Sequence, residues 1–160
     1  MRVHRLPEAS AAFEKALKLN DKVYKIWCNL ANSYQYAGTT SKAQAAYRRA
    51  VELAEPAVKT SPQDAALEAT LGYYHARIHK REKALVRVQS TLALGSDDPE
   101  VLRRIASTYE ALGMRKQAIE YVKKTLKKGY SFDQLKHSYN LGALLEDLAF
   151  RPDTIESKGK

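Results

Sequence analysis

Apolar residues recur every three or four positions between Tyr24 and Leu53, which is the spacing of one face of an amphipathic helix. A glycine, Gly38, and three hydroxyl residues after it divide this stretch into two parts. The stripe before the glycine consists of Trp27, Leu30, Ala31 and Tyr34, and the stripe after it consists of Ala43, Tyr47 and Ala50. The pattern predicts two helices joined by a turn.

The second stripe returns along the whole chain. Its leading alanine has equivalents at Ala9, Ala43, Ala84 and Ala118, at successive separations of 34, 41 and 34 residues. The longer separation exceeds the others by seven residues, about two helical turns. We therefore expect the second helix of the first pair to continue to Thr60. Pro56 lies inside this extension, where it should either kink the helix or start a new short one.

These registers divide the chain into one domain over residues 1–150 and a disordered polar tail over 151–160. We expect a half repeat at 6–20, helix pairs at 24–60, 65–94 and 99–128, and a capping helix at 131–150. The half repeat contains only a second helix. Either that helix serves as a cap, or, as we expect, the chain is part of a longer protein.

The motif W-x2-L-A-x2-Y, a glycine, and A-x3-Y-x2-A resembles the tetratricopeptide repeat, a helix–turn–helix unit of about 34 residues. The resemblance implies an all-α, right-handed α-solenoid whose first helices line a concave groove. The K-K-G-Y-S-F turn and the final L-L-E-D-L-A-F-R are similar to the C-terminal repeat arrays of bacterial multidomain signalling proteins, which follow Ser/Thr kinase, cyclase or winged-helix domains. The sequence has no kinase, cyclase or DNA-reading motif, so those activities are not transferred.

The resemblance also indicates which first-helix positions face the groove. Of the residues at these positions, we expect the following to form the peptide-binding groove: Lys25, Asn29, Asn32, Gln35, Tyr36, Tyr73, Arg77, Arg103, Arg104 and Ser107. Amides can bond a peptide main chain, and arginine can bind a carboxylate with two parallel bonds. We therefore expect a non-catalytic scaffold that binds a peptide or protein segment, with a solvated helix face as the plainer alternative.

One specialised form of this groove holds chaperone C-termini with a set of lysines, asparagines and an arginine called the carboxylate clamp. Asn32 and Arg104 match that set, whereas Cys28, Thr70 and Glu100 depart from it. The departures argue against that particular activity.

The charge balance favours acidic partners. The chain has 27 Lys+Arg against 18 Asp+Glu, a formal net charge of +9. The densest basic run consists of Arg77, Lys80, Arg81, Lys83 and Arg87. This run raises the alternative of a nucleic-acid-binding helical repeat, although a solvated turn explains it more simply.

The remaining chemistry-bearing residues do not indicate catalysis or metal binding. His75 and His79 have the spacing of helical metal ligands, but His75 takes a core position of its repeat and His79 a turn position. The single cysteine, Cys28, has no histidine near it in sequence. We expect no enzyme, metal or cofactor. With no long apolar run and no secretory signal, we expect a cytoplasmic protein without a membrane span.

Self-assembly is a further alternative. The half repeat would leave Ala9, Phe13 and Ala16 on an uncovered apolar face. Such a face favours a homodimer.

Overall fold

A computed structural model describes residues 6–136, 138 and 140–146, and this part of the chain is helical without strands. Its helices are α1 (Leu6–Leu19), α2 (Tyr24–Tyr36), α3 (Thr40–Thr60), α4 (Ala65–Arg77), α5 (Arg81–Ala93), α6 (Pro99–Ala111), α7 (Arg115–Lys127), α8 (Phe132–Lys136) and α9 (Gly142–Leu145). None of them combines the length and the apolar character needed to cross a membrane.

The helices form pairs that stack in chain order. α2 packs against α3, α4 against α5, and α6 against α7. α1 lies on α2, and the pairs join through contacts of α3 with α4 and of α4 with α6. Because each pair is amphipathic, it buries its apolar face only by stacking on a neighbour. The predicted all-α solenoid is thereby confirmed.

α3 is one continuous helix through Pro56, so no new helix starts there. Proline removes one main-chain hydrogen bond and crowds the carbonyl of Glu52. Both residues lie on the exposed face, where water can satisfy that carbonyl. Ala54 and Val58 on the opposite face are buried in the core, and their packing holds the two added turns in place.

α4 is the central helix of the array. All residues from 67 to 76 are buried, including the charged Glu68. Two apolar clusters meet on this helix: one combines it with α2 and α3, the other with α5, α6, α7 and the C-terminal segment. Glu68 is compensated by Arg87 of α5, whose Nη1 lies 3.2 Å from both carboxylate oxygens.

The C-terminal end of the stack is covered by two short helices, α8 and α9, where the sequence predicted one helix over 131–150. We call residues 131–146 the cap. Leu135, Leu141 and Leu144 of the cap are fully buried in the cluster formed by α6 and α7. The turn before α9 is tight, because a Cβ added to Gly142 would lie 3.2 Å from the carbonyl oxygen of Lys136. Residues 147–150 and the predicted tail, 151–160, lie outside the described part of the chain.

Candidate functional site

A cavity of about 250 Å³ opens where the first helices of the three pairs meet the cap. α2, α4 and α6 supply most of its lining. The lining residues are Lys25, Cys28, Asn29, Asn32, Thr70, Tyr73, Tyr74, Arg103, Arg104, Ser107 and Asn140. We call this cavity the concave pocket.

Of the ten groove residues expected from the sequence, seven line the concave pocket and three do not. It brings Lys25, Asn29, Asn32, Tyr73, Arg103, Arg104 and Ser107 together around the concave pocket. Gln35, Tyr36 and Arg77 lie near the other end of their helices and do not line it. The guanidinium of Arg77 instead lies 5.2 Å from the centre of the Tyr47 ring.

The pocket wall is rich in positive charge, and one carboxylate neutralises part of it. Glu100 accepts hydrogen bonds from two nitrogens of Arg103, the Nε at 2.8 Å and the Nη2. It also accepts one from the Nη2 of Arg104 at 3.2 Å. Burial by itself raises the pKa of Glu100, but the bonds and charges of the two arginines hold it below its usual value. Glu100 is therefore ionised at neutral pH and occupies the fork of Arg103, whereas Arg104 shares only one bond with it.

Lys25 supplies a further cation on the opposite wall. Its ammonium makes no hydrogen bond or ion pair with the described residues, and the residue is exposed. The Arg104 charge reaches across the pocket from α6, since it acts on the Cys28 thiol of α2. Lys25 and Arg104 are therefore the cations best placed to attract an anionic group.

Asn32 is held at the side of the pocket by two tyrosines. The hydroxyl of Tyr47 donates to its Oδ1 at 2.5 Å, and the hydroxyl of Tyr73 donates at 3.4 Å. Within the described part of the chain, the Nδ2 of Asn32 has only a long contact, 3.9 Å, with the Sγ of Cys28. The amide therefore presents donors to the pocket.

The cap closes the far side of the pocket through Asn140. Its Nδ2 donates to the main-chain oxygen of Ser107 at 2.8 Å. The Oγ of Ser107 is buried and has no hydrogen-bond partner among the described residues.

Several pocket residues were not among the predicted site residues. Cys28 and Thr70 occupy groove positions that the repeat pattern identified, but they were compared only with the carboxylate clamp and were not chosen as site residues. Tyr74 was hidden by its place beside Tyr73 in a helix that is buried on every side. Asn140 lies outside every repeat, and the sequence offers no signal for it.

Burial keeps the thiol and the two tyrosine hydroxyls of the pocket in their protonated forms. Burial raises the pKa of the Cys28 thiol to about 11, so this thiol is protonated at neutral pH and is a weaker nucleophile than a thiolate. Burial also raises the pKa of Tyr73 and Tyr74, which keeps both hydroxyls as donors. Among the described residues, no group of three His, Cys, Asp or Glu side chains could hold a metal ion.

His75 and His79, which have the spacing of helical metal ligands, lie in different surroundings. The His75 side chain is 2% exposed and its Nε2 lies 3.5 Å from the Oε1 of Glu55. His79 is exposed in the turn, with a φ of 60°, and its Nε2 lies 3.5 Å from the Nε2 of Gln44.

The basic run does not form one free patch. Arg81 donates to the main-chain oxygen of Leu112 at 3.1 Å, and Arg87 is paired with Glu68. Arg77 stacks on Tyr47, which leaves Lys80 and Lys83 as the exposed cations of the run whose side chains have no hydrogen bond, ion pair or ring contact among the described residues.

The chain is similar to one repeat family and to a solved structure. A family model for the tetratricopeptide repeat matches residues 24–56 and 100–127, which lie in the first and third helix pairs. No curated protein matches the chain. Among solved structures, the crystal structure of MamA is similar at 19% sequence identity, over 77% of this chain and 88% of that chain, with a TM-score of 0.40. Two segments of the chain therefore match the tetratricopeptide repeat, a motif that generally mediates protein–protein interactions.

Proposed function

We propose that this chain is a non-catalytic interaction scaffold that binds an acidic peptide segment in the concave pocket and the adjoining groove. The observation that carries the proposal is the meeting of Lys25 and Arg104 in one pocket, from helices of two different pairs. Residues 79 positions apart in sequence need the stacked fold to act together.

The electrostatics favour a carboxylate. Lys25, Arg103 and Arg104 face one nearby acid, Glu100, which neutralises the equivalent of one arginine. A carboxylate entering between Lys25 and Arg104 would gain charge-assisted hydrogen bonds in a partly desolvated site. The rest of the wall adds uncharged donors from Asn32 and the pocket tyrosines, which suit the same kind of acceptor.

The size of the pocket favours a peptide. A volume of about 250 Å³ lies below the range of typical small-molecule sites and accommodates one or two side chains. Gln35 and Tyr36 continue the α2 surface beyond the pocket, and Tyr36 is 53% exposed. An extended segment could anchor one acidic side chain in the pocket and lie along this surface.

Nucleic-acid binding is the weaker alternative. Three of the five cations in the basic run are engaged with other groups of the chain, so a continuous phosphate-binding track is missing there.

We also propose, from the similarity of its C-terminal segments, that the chain belongs to a larger cytoplasmic signalling protein of bacterial type.

Self-assembly through α1 is a second candidate with an observation behind it. Ala9, Phe13 and Ala16 are only half-buried, whereas their equivalents Ala43, Tyr47 and Ala50 are fully buried. A second copy could cover this face. Light scattering at high concentration should then show a dimer that Phe13→Glu disrupts; a monomer at all concentrations would reject it.

The test of the peptide proposal is selection from a displayed random peptide library on the immobilised chain. We expect enrichment of peptides rich in Asp and Glu. The double variant Lys25→Gln, Arg104→Gln should bind the selected peptides about tenfold or more weakly, by loss of two charged contacts.

The matched control is Lys80→Gln, Lys83→Gln, which removes the same charge from exposed positions outside the pocket. It should retain binding within about twofold at physiological salt, since exposed distant charges are screened. Failure to enrich any peptide, or equal losses in both double variants, would reject the concave pocket as the site.

A further inference from the structure

The orientation of the Asn140 side-chain amide is fixed by its partner. A main-chain carbonyl oxygen can only accept, so the amide atom 2.8 Å from the oxygen of Ser107 is the nitrogen. The Oδ1 of Asn140 is then the free end of the amide. It accepts no hydrogen bond from the described residues, and the side chain lines the concave pocket.

The hydrogen bonds of Asn32 fix its side-chain amide in the orientation opposite to that of Asn140. A separation of 2.5 Å suits an O–H···O hydrogen bond and is too short for N–H···O, so the Tyr47 hydroxyl faces the oxygen of Asn32. The second tyrosine, Tyr73, points to the same oxygen. Besides Asn29, the pocket therefore holds one amide on α2, that of Asn32, which offers donors, and one on the cap, that of Asn140, which offers an acceptor.

We propose that Asn140 is a ligand-contacting and specificity-determining residue, whose Oδ1 accepts a main-chain N–H of the bound peptide. This inference rests on the proposed function. Cationic and neutral donors dominate the rest of the pocket wall and bind the acceptors of a peptide. A peptide unit also carries an N–H that must be satisfied when buried, and Asn140 supplies the acceptor for it.

The arrangement makes the cap part of the binding site as well as the end of the stack. Buried Leu135, Leu141 and Leu144 anchor the cap on α6 and α7, which holds Asn140 rigidly against the groove. With donors on α2 and α6 and an acceptor on the cap, a peptide unit fits the pocket in one orientation. Asn140 thereby sets the direction in which the peptide lies along the groove.

The experiment uses the tightest acidic peptide from the library selection and a series of its analogues, each N-methylated at one main-chain nitrogen. Their affinities are measured by fluorescence anisotropy for the native chain and for Asn140→Ala. With the native chain we expect one N-methyl analogue to bind about tenfold more weakly, since its N–H no longer donates. With Asn140→Ala the same analogue should lose no more than about twofold relative to the unmodified peptide.

Two further variants separate contact from support of the cap. Arg115→Ala removes another bond to the cap, from its Nη2 to the oxygen of Ala143 at 3.3 Å, outside the pocket, and should keep the full N-methyl penalty. Asn140→Asp keeps a side-chain oxygen but cannot donate to Ser107, and it should also keep the penalty. Loss of the penalty in Asn140→Asp as well as in Asn140→Ala would mean that Asn140 only docks the cap, and would overturn the assignment.

The outcomes distinguish the two proposals. If the native chain binds no library peptide, the proposed function and the role of Asn140 fall together. If the chain binds acidic peptides but the N-methyl penalties are the same with and without Asn140, only the assignment of Asn140 falls.

Discussion

The hydroxyl of Tyr47 donates a 2.5 Å hydrogen bond to the side-chain oxygen of Asn32, and so joins the second helix of one repeat to a residue of the groove. Tyr47 is fully buried and occupies the large-residue position of the repeat on α3. A residue whose ring fills the core therefore also orients a polar group of the candidate site. Fold and site are coupled at this contact.

Removal of the Tyr47 hydroxyl should lower the free energy of unfolding. Tyr47→Phe leaves the ring in the core but deprives Asn32 of its shorter hydrogen bond, and we expect a loss of about 1–2 kcal/mol in the free energy of unfolding. Urea denaturation measures this. Tyr34→Phe is the matched control, because the Tyr34 hydroxyl bonds the exposed Glu14 at 2.6 Å and should contribute little. Equal losses in the two variants would contradict a special role for the Tyr47 bond.

The buried His75 makes stability depend on pH. Burial lowers its pKa, as do the charges of Lys83 and Arg87, while Glu55 acts in the opposite direction. The unfolded chain then binds more protons than the folded chain between the lowered pKa and the usual value of about 6.5. The stabilisation from neutral His75 is therefore complete above about pH 6.5 and is lost as the pH falls below it.

Urea denaturation between pH 7.5 and 5.0 measures this loss. His75→Tyr places at this position the residue type that its equivalents Tyr34 and Tyr109 have, and should reduce the decrease in unfolding free energy over that range. The readout is the slope of the unfolding free energy against pH, because the larger tyrosine ring also changes the packing. An unchanged slope in the variant would show that other groups cause the pH dependence.

The uninterrupted α3 implies that Pro56 is tolerated at a cost. Pro56→Ala restores a main-chain donor inside the helix at an exposed position, and we expect the unfolding free energy to rise by about 1–2 kcal/mol. Pro99→Ala is the control: Pro99 stands in the first turn of α6, where proline is favourable, so its replacement should give no gain. A gain from Pro99→Ala, or a loss from Pro56→Ala, would contradict this view of α3.

The repeat pattern made much of the fold predictable, because helix pairing needs only a recurring apolar stripe. The seven-residue excess before Ala84 indicated the length of α3, and its physical origin is visible in buried Ala54 and Val58. The cap was less predictable. Its two short helices are set by contacts with α6 and α7 that have no period in the sequence.

The candidate site was predictable only in part, for a related reason. Repeat positions on α2 and α6 pointed to Lys25, Asn32 and Arg104, which the pocket brings together. The same positions did not reveal that Glu100 already occupies the fork of Arg103, because that pairing depends on side-chain conformations within one helix turn. Asn140 could not be inferred, since it reaches the pocket by tertiary docking of the cap alone.

The most direct test of the central claim is NMR titration of the isotope-labelled chain with the tightest acidic peptide from the library selection. We expect the largest amide shift changes to map to α2, α4, α6 and the turn that holds Asn140, with the greatest effects around Lys25, Asn32 and Arg104. Shift changes concentrated on the exposed faces of α3, α5 and α7, with the concave pocket unaffected, would contradict it.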